Sequence, residues 1–276
     1  MPRMPSGSKS KQEAARKARL EREAAERAAA ERKKRLGILG AALVAIVVVV
    51  GIVLAAGVFK EDKADNATKT KVAGGAEVKG VKETNDLLKG IPQQGIRLGQ
   101  ASAPVTIIEF ADLKCPICKE HELNNQPTIV NDLVRTGKAN LEIRLVNVID
   151  PNVGTTDGER ARTVANNLIP TNKYWSFVHT TYYNQGAEQD SWATDGKLKE
   201  ILAGVGLPAS AFSTRMTSAN RTAQAADQKL FTDLGATGTP SVFVQARGTR
   251  EYTSVPNFNS VDDIKKAVAD AAKKAK

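Results

Sequence analysis

Histidine and cysteine are nearly absent from this chain, with two of each among 276 residues. A zinc site needs a closed tetrahedral set of nitrogen and sulfur ligands. Here the set stops at Cys115, Cys118 and His121, because the only other histidine is His179, far away in sequence. No metal is therefore expected. A c-type haem attachment needs a histidine directly after the second cysteine of C-x-x-C, and that position holds Lys119. Aromatic residues make up only 5% of the chain and none falls within residues 1–35. That segment has nothing on which to stack a base, so its basic character is no argument for nucleic acid. No internal repeat is present.

Charge is unevenly spread. Residues 1–35 carry 12 Lys and Arg against 5 Glu, which places +7 of the formal +10 there. Residues 36–59 then run for 24 positions with no charged, Asn or Gln side chain. As a helix this run would measure about 36 Å, enough to cross a hydrocarbon core of ~30 Å with some tilt. A cleaved secretory signal ending near Ala55-Ala56-Gly57 fits less well, since signal cores span ~7–15 residues after a short basic head. The excess of Lys and Arg before the run places residues 1–35 in the cytoplasm and everything after residue 59 outside. A basic segment beside an anchor can hold anionic lipid headgroups, although a solvated Ala/Glu/Arg helix or tail is an equal reading.

The expected organisation is a basic cytoplasmic tail (1–35), a transmembrane helix (36–59), a flexible linker (60–90) and a folded domain (91–276). The linker reading rests on a Lys, Gly, Ala, Thr and Asp composition with little apolar periodicity. Within it and just after, residues 84–95 allow a short helix or edge element. The domain opens with "APVTIIEFADL", a continuous β-branched run that fits a strand buried on both faces. Pro116 then suits a helix start, with Cys115 at the N-cap and the helix running to about Val134. "NLEIRLVNVI" predicts a second strand. Residues from about 158 to 234 turn helical, "PSVFVQA" and "TREYTSV" predict two short strands, and "SVDD" at Ser260 offers a cap for a last helix.

Both cysteines lie in "EFADLKCPICKEHE". As a staple, a disulfide spanning two intervening residues removes little entropy from the unfolded chain, and a domain of 186 residues can bury a core without one. At a helix start, however, this spacing puts both sulfurs on one edge of the first turn. The helix dipole and free N–H groups favour a thiolate on Cys115, and Cys118, one turn further in, is shielded. An exocytoplasmic compartment lets such a pair cycle through a disulfide.

The stretch "GQASAPVTIIEFADLKCPICKEHE", with "GLPASAF" and "GATGTPSVFVQ" much later and "KYWSFVHTTYYNQ" between, resembles the DsbA-like thiol:disulfide oxidoreductases. The resemblance covers roughly residues 91–272. It implies an α/β thioredoxin-like fold with an inserted helical domain, no bound cofactor, and exchange of disulfides with thiol-containing secreted or surface proteins. Position by position, it implies that Cys115 is the exposed nucleophile and Cys118 its buried partner. Thr239 and Pro240 match a loop whose proline is cis and which presents backbone groups to an extended peptide, although an ordinary strand-start proline is the plainer alternative. Glu109 matches a carboxylate below the active site. Buried there, it would have a raised pKa and could exchange a proton with Cys118, whereas a strongly twisted strand would let it reach solvent. Phe110, Trp175, Phe177 and Tyr182 are expected as core and groove lining, with an apolar rim to hold clients.

Two positions depart from the best-known oxidases. The dipeptide between the cysteines, Pro116-Ile117, tunes the redox pair and stands where those have Pro-His, and Thr239 stands where they have Val. The expected direction is oxidation, with a membrane thiol oxidase as redox partner. A reductant or isomerase on the same fold is the first alternative, and a non-catalytic client-binding holdase the second.

Overall fold

The computed structural model describes residues 63–276. The basic segment 1–35 and the apolar run 36–59 lie outside the described residues. Among the described residues no helix is long and apolar enough to cross a membrane.

The first described segment corrects the expectation of a flexible linker. Strands β1 (Lys69–Lys71) and β2 (Glu77–Lys79) pair as an antiparallel hairpin, and helix α1 (Val81–Leu88) follows directly. Composition concealed this because the hairpin is polar on its solvent side. The apolar anchors of the whole segment, Ala64, Ala67, Val78, Val81, Leu87 and Leu88, are sparse but all buried. Gly80, at φ 75°, lies so close to the Tyr183 ring that any Cβ would collide with it. On either side of that contact, Lys79 N–H donates to Asn184 Oδ1 at 3.1 Å and Asn184 Nδ2 returns a bond to Lys79 O at 2.9 Å. Glycine is the one residue that tolerates both the positive φ and the close approach.

Short strands β3 (Gln93–Gln94) and β4 (Arg97–Leu98) lead to β5 (Val105–Ala111). The chain continues through α2 (Pro116–Asn124), α3 (Gln126–Ile129), a π turn at Val130–Val134 and β6 (Asn140–Leu145). A helical block follows: α4 (Ile149–Val153), α5 (Asp157–Asn167), α6 (Tyr174–Tyr183), α7 (Asp195–Gly204) and α8 (Ser218–Asp233). Strands β7 (Ser241–Ala246) and β8 (Tyr252–Val255) and helix α9 (Val261–Ala272) end the chain, α9 capped as expected by the Ser260 side chain.

Six strands form one mixed sheet in the order β3-β4-β6-β5-β7-β8, with β5 and β6 parallel and the remaining neighbours antiparallel. Its interior strand β5 is covered on both faces, which explains its lack of polar alternation. Val105, Ile107, Glu109 and Ala111 share one face, by the two-residue period of a strand. Ile108 and Phe110 share the other, where they meet Val146, Phe231 and Phe243. There the Phe110 ring meets Phe231 edge-on at 5.4 Å and Phe243 at 6.0 Å, each pair worth about 0.5–1.5 kcal/mol beyond simple burial.

The single helix expected from 116 to about 134 is broken at Asn125. Pro127 has no N–H to offer the carbonyl of Leu123, four residues back. That carbonyl is taken instead by the Lys63 ammonium at 3.0 Å. The first described residue of the chain thus completes the helix that carries both cysteines.

Candidate active site

The loop after β5 delivers Cys115 to the N-cap of α2, and Pro116 occupies the first helical turn, where a missing N–H costs nothing. The Cys115 sulfur does the capping: it accepts from the Cys118 backbone N–H at 3.4 Å. The thiol itself donates to the Thr239 carbonyl at 3.2 Å. The Thr239–Pro240 bond is cis, as the resemblance implied. Residues 115, 118, 239 and 240, more than a hundred positions apart in sequence, are thereby brought to one place.

Both cysteines are free thiols. Cys118 is fully enclosed, and Cys115 is only 4% exposed. The nucleophile expected to be exposed is thus almost buried, with the Thr239 carbonyl in contact with its sulfur. The thiols differ sharply in acidity. A hydrogen bond from the Cys118 thiol, aided by Thr239 and by the amides of Cys118 and Ile117, draws Cys115 down to about 7 against the opposing effect of burial. Burial, reinforced by the bond to Cys115 and by its charge, pushes Cys118 well above the ordinary thiol value. Near neutral pH Cys115 is therefore close to half ionised while Cys118 keeps its proton.

Glu109 is buried beneath the pair at 1% exposure, and strand twist does not carry it to solvent. Burial pushes its carboxyl up to about 8, offset in part by a 2.9 Å bond from Gln126 Nε2 and assisted by the charge of Cys115. The same Gln126 amide donates to Glu122 Oε1 at 3.1 Å, and burial beside Glu109 also holds Glu122 well above the usual carboxylate range. His121 is a buried packing residue, edge-on to Phe258. Its Nε2 lies 3.5 Å from Glu109 Oε2, but burial depresses the imidazole to about 4. Both partners are neutral at pH 7, so this contact is not an ion pair. Among the described residues no cluster of His, Cys, Asp and Glu is arranged to hold a metal ion.

Of the two roles expected of the aromatics, core and groove lining, they take the first. Phe110, Trp175, Phe177 and Tyr182 are each exposed by 1% or less and serve as core. Trp175 Nε1 donates to Ile96 O, and Tyr182 OH to Asp112 O. Among the described residues the large apolar side chain that does face solvent is Ile117, at 47%. With Pro116, Lys119, Glu120 and the loop from Gln185 to Gln189 it lines a cleft of about 660 Å³.

Sequence reasoning missed four residues of this site. Glu122 and Gln126 follow Cys118 at successive spacings of four, a helical-face signal that was available. Lys114 and Gln185 gave none, since their partners are distant: Gln185 Nε2 holds the carbonyls of Leu113 and Cys115 at 2.8 and 3.1 Å.

Comparison with known proteins adds five findings. A family model described as "Thioredoxin" matches residues 92–266. Disulfide bond formation protein D of Bacillus subtilis is 24% identical over 200 residues, which cover 67% of this chain and 81% of that protein. The probable disulfide bond formation protein D of Bacillus cereus is 27% identical over 107 residues, so that the match spans 38% of this chain and about half, 47%, of that relative. Among solved structures, oxidised BdbD from Bacillus subtilis superposes with a TM-score of 0.56 at 21% identity, covering 65% of this chain and 93% of that one. α-DsbA1 from Wolbachia pipientis gives 0.53 at 20% identity, covering 69% and 96%. These two likenesses are of fold.

Proposed function

The chain belongs to the thioredoxin family, and from that premise we propose that it is a membrane-anchored, extracytoplasmic thiol:disulfide oxidoreductase of the DsbA-like kind that oxidises secreted or surface proteins. The observation that carries this reading is the split acidity of the two thiols, about 7 for Cys115 and well above the ordinary value for Cys118. It assigns opposite roles to sulfurs one helical turn apart. The relatives named for disulfide bond formation support the same reading.

In the oxidised state a client thiolate attacks the Cys115 sulfur. The Cys115–Cys118 bond breaks, a mixed disulfide forms, and Cys118 departs as a thiolate. Its high proton affinity draws the proton of Glu109, which is protonated at neutral pH. A second client thiolate then attacks the client sulfur of the mixed disulfide and releases Cys115 as the favoured thiolate. Two electrons have passed from the client to the pair, and the client holds a new disulfide. Thr239 and Pro240 position the client chain across the sulfurs, while Pro116 and Ile117 set how strongly the Cys115 thiolate is favoured. A membrane thiol oxidase withdraws the electrons again. The 24-residue apolar run and the +7 segment before it support an anchor with residues 1–35 in the cytoplasm beside anionic lipid.

Trapping tests the role assignment. In Cys118→Ser a client joined to Cys115 can no longer be expelled by attack of Cys118 on the Cys115 sulfur, so client adducts should accumulate. Cys115→Ser should give none while still binding clients. Adducts in the reverse pattern would show the roles exchanged, and binding without any adduct in either variant would favour the holdase.

A further inference from the structure

Lys114 precedes the nucleophile, and its side chain is wholly buried, a state lysine almost never adopts unless paired. Its ammonium donates to Thr155 Oγ1 at 2.6 Å and to Asp157 Oδ1 at 2.7 Å, and it lies 3.6 Å from Asp150 Oδ1. All three partners belong to the helical block: Asp150 in α4, Asp157 at the start of α5, and Thr155 in the turn between. Each is itself fixed. Asp150 accepts from the Thr155 hydroxyl at 2.7 Å and from the amides of Gly158 and Glu159 at 3.2 and 2.8 Å. The second oxygen of Asp157 accepts from Ala193 N–H at 2.9 Å. The seat also has no slack, since a Cβ on Gly158 would come within 3.0 Å of both Lys114 Cδ and Asp150 Oδ2.

The main chain around Lys114 is held as firmly. Its N–H donates to Asp112 Oδ1 at 2.9 Å, and Gln185 grips the carbonyls on either side. A buried ion pair adds little net stability over apolar residues of the same volume. Such an arrangement is better explained by the placement it enforces than by the stability it supplies.

We propose that Lys114 is a positioning residue for Cys115, tying the strand-to-helix loop to the helical block so that the Cys115 sulfur keeps its place between the Cys118 amide and the Thr239 carbonyl. The inference rests on the proposed function only for its purpose, because the sulfur's environment can be measured whether or not the chain oxidises clients. In this geometry a loosened loop weakens the bonds from the Cys118 and Ile117 amides that favour the thiolate, and the Cys115 thiol becomes less acidic.

The test is the pH profile of Cys115 alkylation by iodoacetamide in the reduced protein, read beside a urea denaturation midpoint. Three variants are compared: Lys114→Met, Lys114→Met with Asp157→Asn, and Thr155→Val. The double variant removes the tie without leaving two carboxylates opposite no cation. It should unfold near the wild-type midpoint, yet its thiol pKa should rise by about one unit, slowing alkylation at pH 7 roughly fivefold through the smaller thiolate fraction. Thr155→Val, which deletes one short bond and no charge, should shift the profile less in the same direction and decides the matter if the other two fail to fold. A wild-type alkylation profile in every folded variant, with or without a lowered midpoint, would overturn the proposal by showing Lys114 to be structural alone. Absence of client exchange in the unmutated protein would sink the proposed function and leave this result standing.

Discussion

Glu109 sits mid-strand in β5, paired with Ile143 of β6 on one side and Val242 of β7 on the other. An apolar residue would be cheaper there. With its pKa raised from 4.5 to about 8, the folded protein binds this proton more tightly than the unfolded chain. Its contribution to stability is therefore fully present below pH 4.5 and is lost as pH rises toward 8. Each unit corresponds to about 1.4 kcal/mol, so the loss across that window is several kcal/mol as an order of magnitude. Glu109→Gln keeps the shape and removes the titration. In urea melts of the reduced protein the variant should gain on wild type steadily from about pH 5 to pH 8; parallel stability curves would show that Glu109 is not titrating in the fold. The same variant should slow Cys118 departure by about a hundredfold if the carboxyl supplies the proton. Cys115 and Cys118 are legible in the sequence from their spacing at a helix start, and Glu109 stands out as a carboxylate in an apolar strand, although its place in the site came from the family resemblance. Pro240 is legible only through the family resemblance. Lys114 and Gln185 are not legible at all, since a lysine or glutamine before folding is indistinguishable from any surface residue.

At the scale of elements, strands β5 to β8 and the α9 cap follow from short-range pattern and fall close to where apolar runs and capping residues place them, whereas the two-residue strands β3 and β4 are too short to leave such a pattern. The two differences have one origin. Residues 63–79 look like a tether because their stabilising partners lie far along the chain: Tyr183 and Asn184 for the hairpin, Leu123 for Lys63. The break at Asn125 belongs to the same contact, since Pro127 frees the carbonyl that Lys63 then occupies. A prediction separates a docked arm from a slack linker. Protease added to intact cells should release the catalytic domain as a fragment that keeps residues 69–88, with no cuts between the hairpin and α1. Cuts scattered through 60–90 would restore the linker reading, and a domain wholly protected in intact cells would overturn the extracytoplasmic placement proposed for it.

The direction of electron flow is a property of the whole molecule, because the reduction potential reports how much better the entire fold tolerates two thiols than one disulfide. Whatever stabilises the Cys115 thiolate stabilises the reduced protein and makes its disulfide the stronger oxidant. Here that stabilisation comes from the start of α2, the Cys118 thiol, the amides of Cys118 and Ile117, and Thr239, while the Ile117 side chain offers neither charge nor hydrogen bond. The two ends of the family scale are about −120 mV for DsbA and about −270 mV for thioredoxin, a gap of roughly 7 kcal/mol for two electrons. Losing one polar contact at the dipeptide, at about 1–3 kcal/mol, moves the potential by only part of that gap. The expected value lies between about −130 and −200 mV, still high enough to oxidise client thiols. Equilibration with glutathione, read as the fraction of Cys115–Cys118 disulfide, measures it. The reduced protein should also outlast the oxidised one in urea, since a high potential and a more stable dithiol fold are the same free energy seen from two sides. A potential below roughly −240 mV, with the oxidised form the more stable, would reverse the direction and make the protein a reductant. Ile117→His, which restores a donor beside the sulfur at the exposed rim of the cleft, should raise the potential, and an unchanged value would locate the tuning in the buried contacts of Cys115 instead.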